Sequence, residues 1–265
     1  MAHEEVLAGG NSSVVVRVGD TVRRNSGPWT PAVHGLLAAL HDGGVKGVPV
    51  ALGLDERGRE MLTFVSGDVV QYPLPAWIWH EAVLRDASRL LRQIHDAAAH
   101  LASADQTWQL ASHEPVEVVC HNDFAPYNMV FQDGRLAGAI DFDAASPGPR
   151  IWDVAYLAYQ LVPLIEGTGP GEPPEEEKRA RLDGIIAAYG QPFAHADIFE
   201  SLGHRLLELA DYSDRRAAEA GRAELRNHAD RYRKDSARMF GLAAEQGSAA
   251  VADVTCPDGK LPPRS

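Results

Sequence analysis

Five polar residues between positions 121 and 143 offer chemistry: His121, Asp123, Asn128, Asp141 and Asp143. A carboxylate and an amide oxygen are hard donors that suit Mg²⁺, which takes one or two protein ligands and completes its shell with water and phosphate. Asn128 and Asp141 fit that role, with Asp143 a third candidate on the metal side. Asp123 is then free to accept a proton from an attacking hydroxyl. Phosphoryl transfer needs those two parts, a cation to neutralise phosphate charge and a carboxylate to orient the nucleophile. Asp and Asn also favour turns and caps, and any one of them alone reads that way. Their spacing around a single Asp-Gly turn does not.

The surrounding elements must bring these residues together. Val116, Val118 and Val119 lead into the polar run. Met129–Gln132 reads as a short strand, Asp133-Gly134 as a two-residue hairpin turn and Arg135–Ile140 as the returning strand. A hairpin brings its two ends close, so Asn128 and Asp141 are expected to be neighbours, with Asp123 just upstream. Ser146–Pro149 reads as a loop. Ile151–Leu161 reads as a helix whose Asp153 is placed to cap backbone N–H groups or brace the loop. Cys120 reads as a buried structural thiol.

His121-Asn122-Asp123 with Asn128, followed by Ile140-Asp141-Phe142-Asp143, keeps the Asp-to-Asn interval of the protein kinase catalytic loop and its later metal-binding Asp. The segment resembles the aminoglycoside phosphotransferase and choline kinase-like family, a small-molecule branch of the protein kinase fold. Trp152-Asp153-Val154-Ala155 and Leu91-Arg92-Gln93-Ile94-His95 resemble two further family features, and the match is densest from about Leu90 to Tyr159. His95 itself reads as a packing residue.

The resemblance implies a two-lobed α+β protein kinase-like fold. Its N-lobe is a small antiparallel β-sheet with one helix, and its C-lobe is mainly helical. The lobes are expected at residues 1–68 and 69–245, with a flexible tail at 246–265. It also implies ATP or GTP as phosphoryl donor, Mg²⁺ as cofactor and a small hydroxyl-bearing acceptor. Asp123 would be the catalytic base, and His121 would support its loop.

Ser12 and Ser13, in a Gly-rich turn before a strand, are candidates to cover nucleotide phosphates. No Walker-type G-x-x-x-x-G-K-[ST] run occurs. The family's third-strand Lys has no counterpart, and Arg23 and Arg24 are the candidate cations. Alternation puts Val22 and Arg24 on one face; alignment to the family selects Arg23 equally well. Thr30-Pro31 starts a helix through Leu36, Leu37 and Leu40. In the family this helix supplies a Glu for the Lys. Here it has none, and His34 and His41 are its polar candidates. Thr63, Phe64, Val65 and Ser66 are expected to meet the base through their backbone.

Trp77–Leu101 reads as a long helix. Further helices are expected at Glu175–Tyr189, Ala196–Ala218 and Ala223–Ala244, before a loose tail from Gly247. Glu208, Asp211 and Asp214 share a helix face. In relatives acids from these helices line the acceptor site, so Glu208 and Asp211, with Asp153, are substrate candidates.

The chain has 265 residues and a formal net charge of −12. That charge argues against nucleic acid as partner and is compatible with a cationic small substrate. No run is long enough to span a membrane. The acidic start, Met-Ala-His-Glu-Glu, lacks the apolar core of a signal peptide. With only 2 Cys there is no disulfide framework, and a cytoplasmic location is expected. The leading reading is a kinase acting on an aminoglycoside or another cationic antibiotic. A metabolic kinase of choline, a sugar or an amino alcohol is the second. A kinase-like binding protein without activity is the third, permitted by the missing Lys and Glu.

Overall fold

The computed structural model describes residues 4–7, 15–164, 169–220 and 224–254. Ser12 and Ser13 lie outside the described residues. Strands β1 (Glu4–Leu7), β2 (Val15–Val18) and β3 (Thr21–Arg24) pair antiparallel in sequence order. The β2–β3 turn places Gly19 at φ +60°, a conformation glycine takes without a Cβ penalty. Helix α1 (Thr30–Asp42) has Pro31 in its first turn and buries Val33, Leu36, Leu37 and Leu40, a stripe at helical spacing. Strands β4 (Ala51–Leu54) and β5 (Glu60–Thr63) complete a five-stranded sheet in the order β1-β2-β3-β5-β4. In the β3–β5 ladder Val22 lies opposite Leu62 and Arg24 opposite Glu60.

After the two-residue strand β6 (Asp68–Val69), a 3₁₀ turn at Ala76–Trp79 precedes α2 (Glu81–Ala98). The sequence pattern reads as one helix from Trp77, but His80 is extended (φ −61°, ψ 135°) and separates the turn from the helix. α2 buries Val83, Leu84, Ala87, Leu90, Leu91 and Ile94 and packs on β7 (Val118–Cys120). Strands β8 (Met129–Gln132) and β9 (Arg135–Ala139) form the expected hairpin, and β6 pairs on its outer edge. Its turn residues have positive φ, Asp133 at 50° and Gly134 at 70°, which matches the twist of the flanking strands.

Ser146–Pro149, expected as a loop, instead contains strand β10 (Ser146–Gly148). Ser146 pairs opposite Cys120 and Gly148 opposite Val118. Pro147 is tolerated because a two-stranded ladder leaves an outward edge where no N–H is needed. Cys120 is buried, as expected, and its thiol donates to the Pro149 carbonyl at 3.4 Å. Helices α3 (Arg150–Leu161) and α4 (Glu175–Tyr189) follow. The architecture is α+β: an antiparallel sheet with one helix, then a mostly helical remainder.

The chain divides into two compact units, Met1–Pro192 and Phe193–Ser265. The lobe boundary expected at residue 68 falls within the first. The second unit pairs α5 (His195–Ala220) with α6 (Glu224–Val254). Gly203 permits the close approach of the Phe240 ring, which a Cβ would meet at 2.7 Å. α6 runs to Val254, into the stretch read as a tail. Among the described residues no helix is long and apolar enough to cross a membrane.

Candidate active site

β7 delivers the chain to a sharp turn at Asn122, whose φ is +61°. Asp153, fully buried on α3, holds that turn from below. Its Oδ2 accepts the His121 N–H at 2.6 Å and its Oδ1 the Asn122 N–H at 2.9 Å. His95 Nε2 reaches the same Oδ2 at 3.0 Å, and Tyr189 Oη lies 2.8 Å from His95 Nδ1. A carboxylate accepts only, so His95 donates from Nε2; in the neutral ring Nδ1 then accepts from Tyr189. Arg150 closes the chain by donating to Tyr189 Oη at 3.3 Å. Asp153 is therefore a brace and not a substrate contact: it is sealed from solvent and both oxygens are taken by loop amides. His95, read as packing, is a buried hydrogen-bonded link in that brace.

The His121 ring ties the loop to the end of β9. Nδ1 accepts the Asp123 N–H at 3.3 Å, and Nε2 donates to the Ile140 carbonyl at 3.1 Å. Asp123 is partly exposed and has a donor on each carboxylate oxygen. Tyr127 Oη donates to Oδ1 at 2.6 Å, and Asn128 Nδ2 donates to Oδ2 at 2.8 Å. Burial, with Tyr156 and Asp123 adding to it, pushes the Tyr127 hydroxyl well above its usual range and keeps it a donor. With its nitrogen on Asp123, Asn128 has Oδ1 left as the atom that can face a cation. The Ile140 N–H donates to the Asn128 carbonyl at 2.9 Å. The hairpin thus brings Asn128 opposite Ile140, the residue before Asp141.

Asp141 sits at φ +65°, ψ +67°, a region non-glycine residues seldom occupy and one enriched at functional sites. Arg24 reaches across from β3. Its Nη1 donates to Asp141 Oδ1 at 2.9 Å, its Nη2 to Asp143 Oδ1 at 2.7 Å and its Nε to Glu60 Oε2. Burial pulls the Arg24 pKa down, but Asp143, Glu60 and Asp141 together outweigh it and hold it above the usual value. Burial raises the Asp143 carboxyl from the usual 3.8 to about 6; Arg24 opposes this, and Asp141 and Glu60 add to it. Arg23 projects elsewhere, onto Thr21 Oγ1 at 2.7 Å and the Val22 carbonyl at 3.1 Å. Of the two candidate arginines, Arg24 is the one that meets Asp141 and Asp143, while Arg23 lies 3.9 Å from Asp55.

The chemistry on offer is all-oxygen: Asn128 Oδ1 and the carboxylates of Asp141 and Asp143, each of which gives its Oδ1 to Arg24. It suits a hard divalent cation such as Mg²⁺, so the residues present fit the implied metal. At the other end of the sheet face, the Thr63 N–H donates to Val50 at 3.0 Å and the Phe64 N–H to Asp20 at 2.8 Å. The Ser66 carbonyl accepts from Gln132 at 2.9 Å. Among the described residues the Val65 amide makes no hydrogen bond, so of the four expected base contacts it is the one with both backbone groups available.

In the second unit Glu208 and Asp211 are exposed on α5. Arg233 of α6 lies 3.7 Å from Asp211 and also binds Asp214, so part of that acidic face already has a cation. Two residues escaped the sequence reading. Glu60 heads an otherwise apolar strand opposite a basic one, and Tyr127 immediately precedes Asn128.

A family model described as the phosphotransferase enzyme family matches residues 29–198. The trifolitoxin immunity protein of Rhizobium leguminosarum bv. trifolii is 36% identical over 154 residues, 56% of this chain and 58% of that protein. The match thus spans little more than half of that relative's length. Among solved structures, an amicoumacin kinase in complex with AMP-PNP and Ca²⁺ gives a TM-score of 0.65 at 15% identity, covering 88% of this chain and 87% of that one. A choline/ethanolamine kinase family protein from Mesorhizobium loti gives 0.61 at 16% identity, covering 92% of each chain. The likeness to both is one of fold, the kinase-like α+β fold.

Proposed function

The chain belongs to the phosphotransferase enzyme family, and on that premise we propose that it moves the γ-phosphate of ATP or GTP to a hydroxyl of a small molecule, an aminoglycoside or another cationic antibiotic. Asp123 carries this reading. It is partly exposed, has a donor on each oxygen, and is linked through Asn128 to the backbone of Ile140, the residue before Asp141. The name of the trifolitoxin immunity protein supports an acceptor from which the cell needs protection.

In this reading Asp123 orients the acceptor hydroxyl and takes its proton as the phosphoryl group arrives. Tyr127 and Asn128 fix the plane of that carboxylate. Asn128, Asp141 and Asp143 would hold Mg²⁺, which when bound neutralises phosphate charge. Arg24 meets the donor phosphates, and the Val65 backbone, within the Thr63–Ser66 segment, meets the base. His121 and Asp153 keep the loop in place. Residues 1–68 form the nucleotide lobe, with residues 69–245 the catalytic and acceptor lobe. For Glu208 and Asp211 of the second unit the proposed role is the binding of ammonium groups.

A second reading, a kinase of choline, ethanolamine or another amino alcohol, draws support from the Mesorhizobium loti structure. Phosphoryl transfer from labelled ATP and GTP with Mg²⁺, across aminoglycosides, other cationic antibiotics and amino alcohols, separates the two. Asp123→Asn is the control. Transfer to an antibiotic, lost in the variant, is the expected result. Transfer to an amino alcohol alone selects the second reading, and undiminished transfer by Asp123→Asn sinks both.

A further inference from the structure

Glu60 is a carboxylate with only 1% of its side chain exposed. A charge so far from water persists only when its oxygens are paired, and both are: Oε2 by Arg24 Nε, Oε1 by His34 Nε2 at 2.9 Å. Arg24 is a planar fork, so fixing Nε fixes where the two terminal nitrogens point. Those nitrogens are the ones beside Asp141 and Asp143. Glu60 and Arg24 face each other across the β3–β5 ladder, so their separation is set by the sheet's own hydrogen bonds. Helix α1 enters only through His34.

We propose that Glu60 and His34 are positioning residues for the donor phosphates: Glu60 orients Arg24, and His34 orients Glu60. The carboxylate that anchors the phosphate cation thereby sits in the sheet beside it, and among the described residues no α1 carboxylate pairs with Arg24. This rests on the phosphotransferase reading above. One consequence is that a displacement of α1 loosens the grip on phosphate only slightly, because the ion pair stays within the ladder.

The test is the split between nucleotide and acceptor KM, with nucleotide Kd measured by a fluorescent ATP or GTP analogue. Glu60→Gln is expected to raise the nucleotide KM about tenfold or more and leave the acceptor KM within about twofold. His34→Ala raises the nucleotide KM a few-fold. The double variant loses no more than Glu60→Gln alone, because the two act in series. Adding His34→Glu to Glu60→Gln returns a carboxylate from the helix side and recovers nucleotide affinity. A Glu60→Gln protein that melts cooperatively and keeps wild-type nucleotide KM overturns the proposal. So does a double variant whose loss is the product of the single losses. If Glu60→Gln does not fold, unchanged nucleotide KM in His34→Ala overturns it. A wild-type protein that binds neither nucleotide with Mg²⁺ removes the phosphotransferase reading itself, a result distinct from any variant's behaviour.

Discussion

Asn128 grips Asp123 with one nitrogen: its Nδ2 lies 2.8 Å from the carboxylate Oδ2 and 3.0 Å from the main-chain carbonyl of the same residue. In the function proposed, the other end of that amide faces a cation, and a single side chain joins the base to the metal ligands.

Asn128→Asp separates the two tasks. It keeps an oxygen for the metal but removes the donor and sets two carboxylates at hydrogen-bonding distance. Transfer is expected to fall about 10²-fold or more, with nucleotide binding largely kept. Asp123→Asn is expected to fall about 10²- to 10⁴-fold. Steady-state kcat and nucleotide Kd for both variants check this; an Asn128→Asp enzyme with wild-type kcat would show that the grip on Asp123 has no part in transfer.

Tyr127→Phe removes the 2.6 Å donor to Asp123 Oδ1 and the hydroxyl 3.0 Å from Tyr156. A hydrogen bond to a charged group is worth about 1.5–3 kcal/mol when buried. Asp123 is partly exposed, so water recovers part of that. We expect stability to drop by about 1 kcal/mol and kcat by about tenfold at most, with acceptor KM rising. Unchanged kcat and melting temperature would reduce Tyr127 to a neighbour without influence.

Most of this site was legible because its signals are local. The Asp133-Gly134 turn, the short strands on each side and the spacing of His121, Asp123, Asn128 and Asp141 all lie in one stretch of chain. Apart from Tyr127, whose partner Asp123 is four residues away, what escaped depends on distant partners. Glu60 is 36 residues from Arg24, and His95 is 94 residues from Tyr189. No single-sequence pattern states the β3–β5 register that makes a strand-end acid a buried anchor. Pro147 misled in the same way: a proline reads as loop, and only the tertiary pairing with β7 makes Ser146–Gly148 a strand. Asp153 offered two roles in the sequence, and its complete burial selects one.

Asp143 gives the protein a pH signature. Its folded-state carboxyl is raised from 3.8 to about 6. Between those values the native state holds a proton that the unfolded chain has released, so the stability of the metal-free protein falls as pH rises through that window. In the function proposed, Mg²⁺ takes the ionised Asp143 carboxylate, so its affinity climbs over the same window. The rise in Tm on adding Mg²⁺ is therefore larger at about pH 7.5 than at about pH 5. Asp143→Asn flattens the difference. An equal Mg²⁺ shift at both pH values in the wild type would contradict this account.

Asp153 is where a structural change should silence the site without touching it. Asp153→Ala leaves the His121 and Asn122 amides and the His95 Nε2–H without an acceptor, all in the buried interior. Each buried group so orphaned costs about 1–3 kcal/mol, and a loss of about 3–5 kcal/mol in total is expected. Asp153→Asn is little better, because one of its two positions becomes an NH₂ facing a loop N–H. The turn at Asn122, held at φ +61°, then loses its backbone acceptors and keeps the side-chain bonds from Asn122 Nδ2 to the Ala144 carbonyl and Ser146 Oγ. Hydrogen exchange separates this local effect from global unfolding. The His121 and Asn122 amides should exchange faster in Asp153→Asn, while those of the β8–β9 hairpin stay protected at temperatures well below the melt. Transfer should be lost under the same conditions. Protected loop amides together with a wild-type melting temperature would mean that other contacts hold the turn and that Asp153 is dispensable to it.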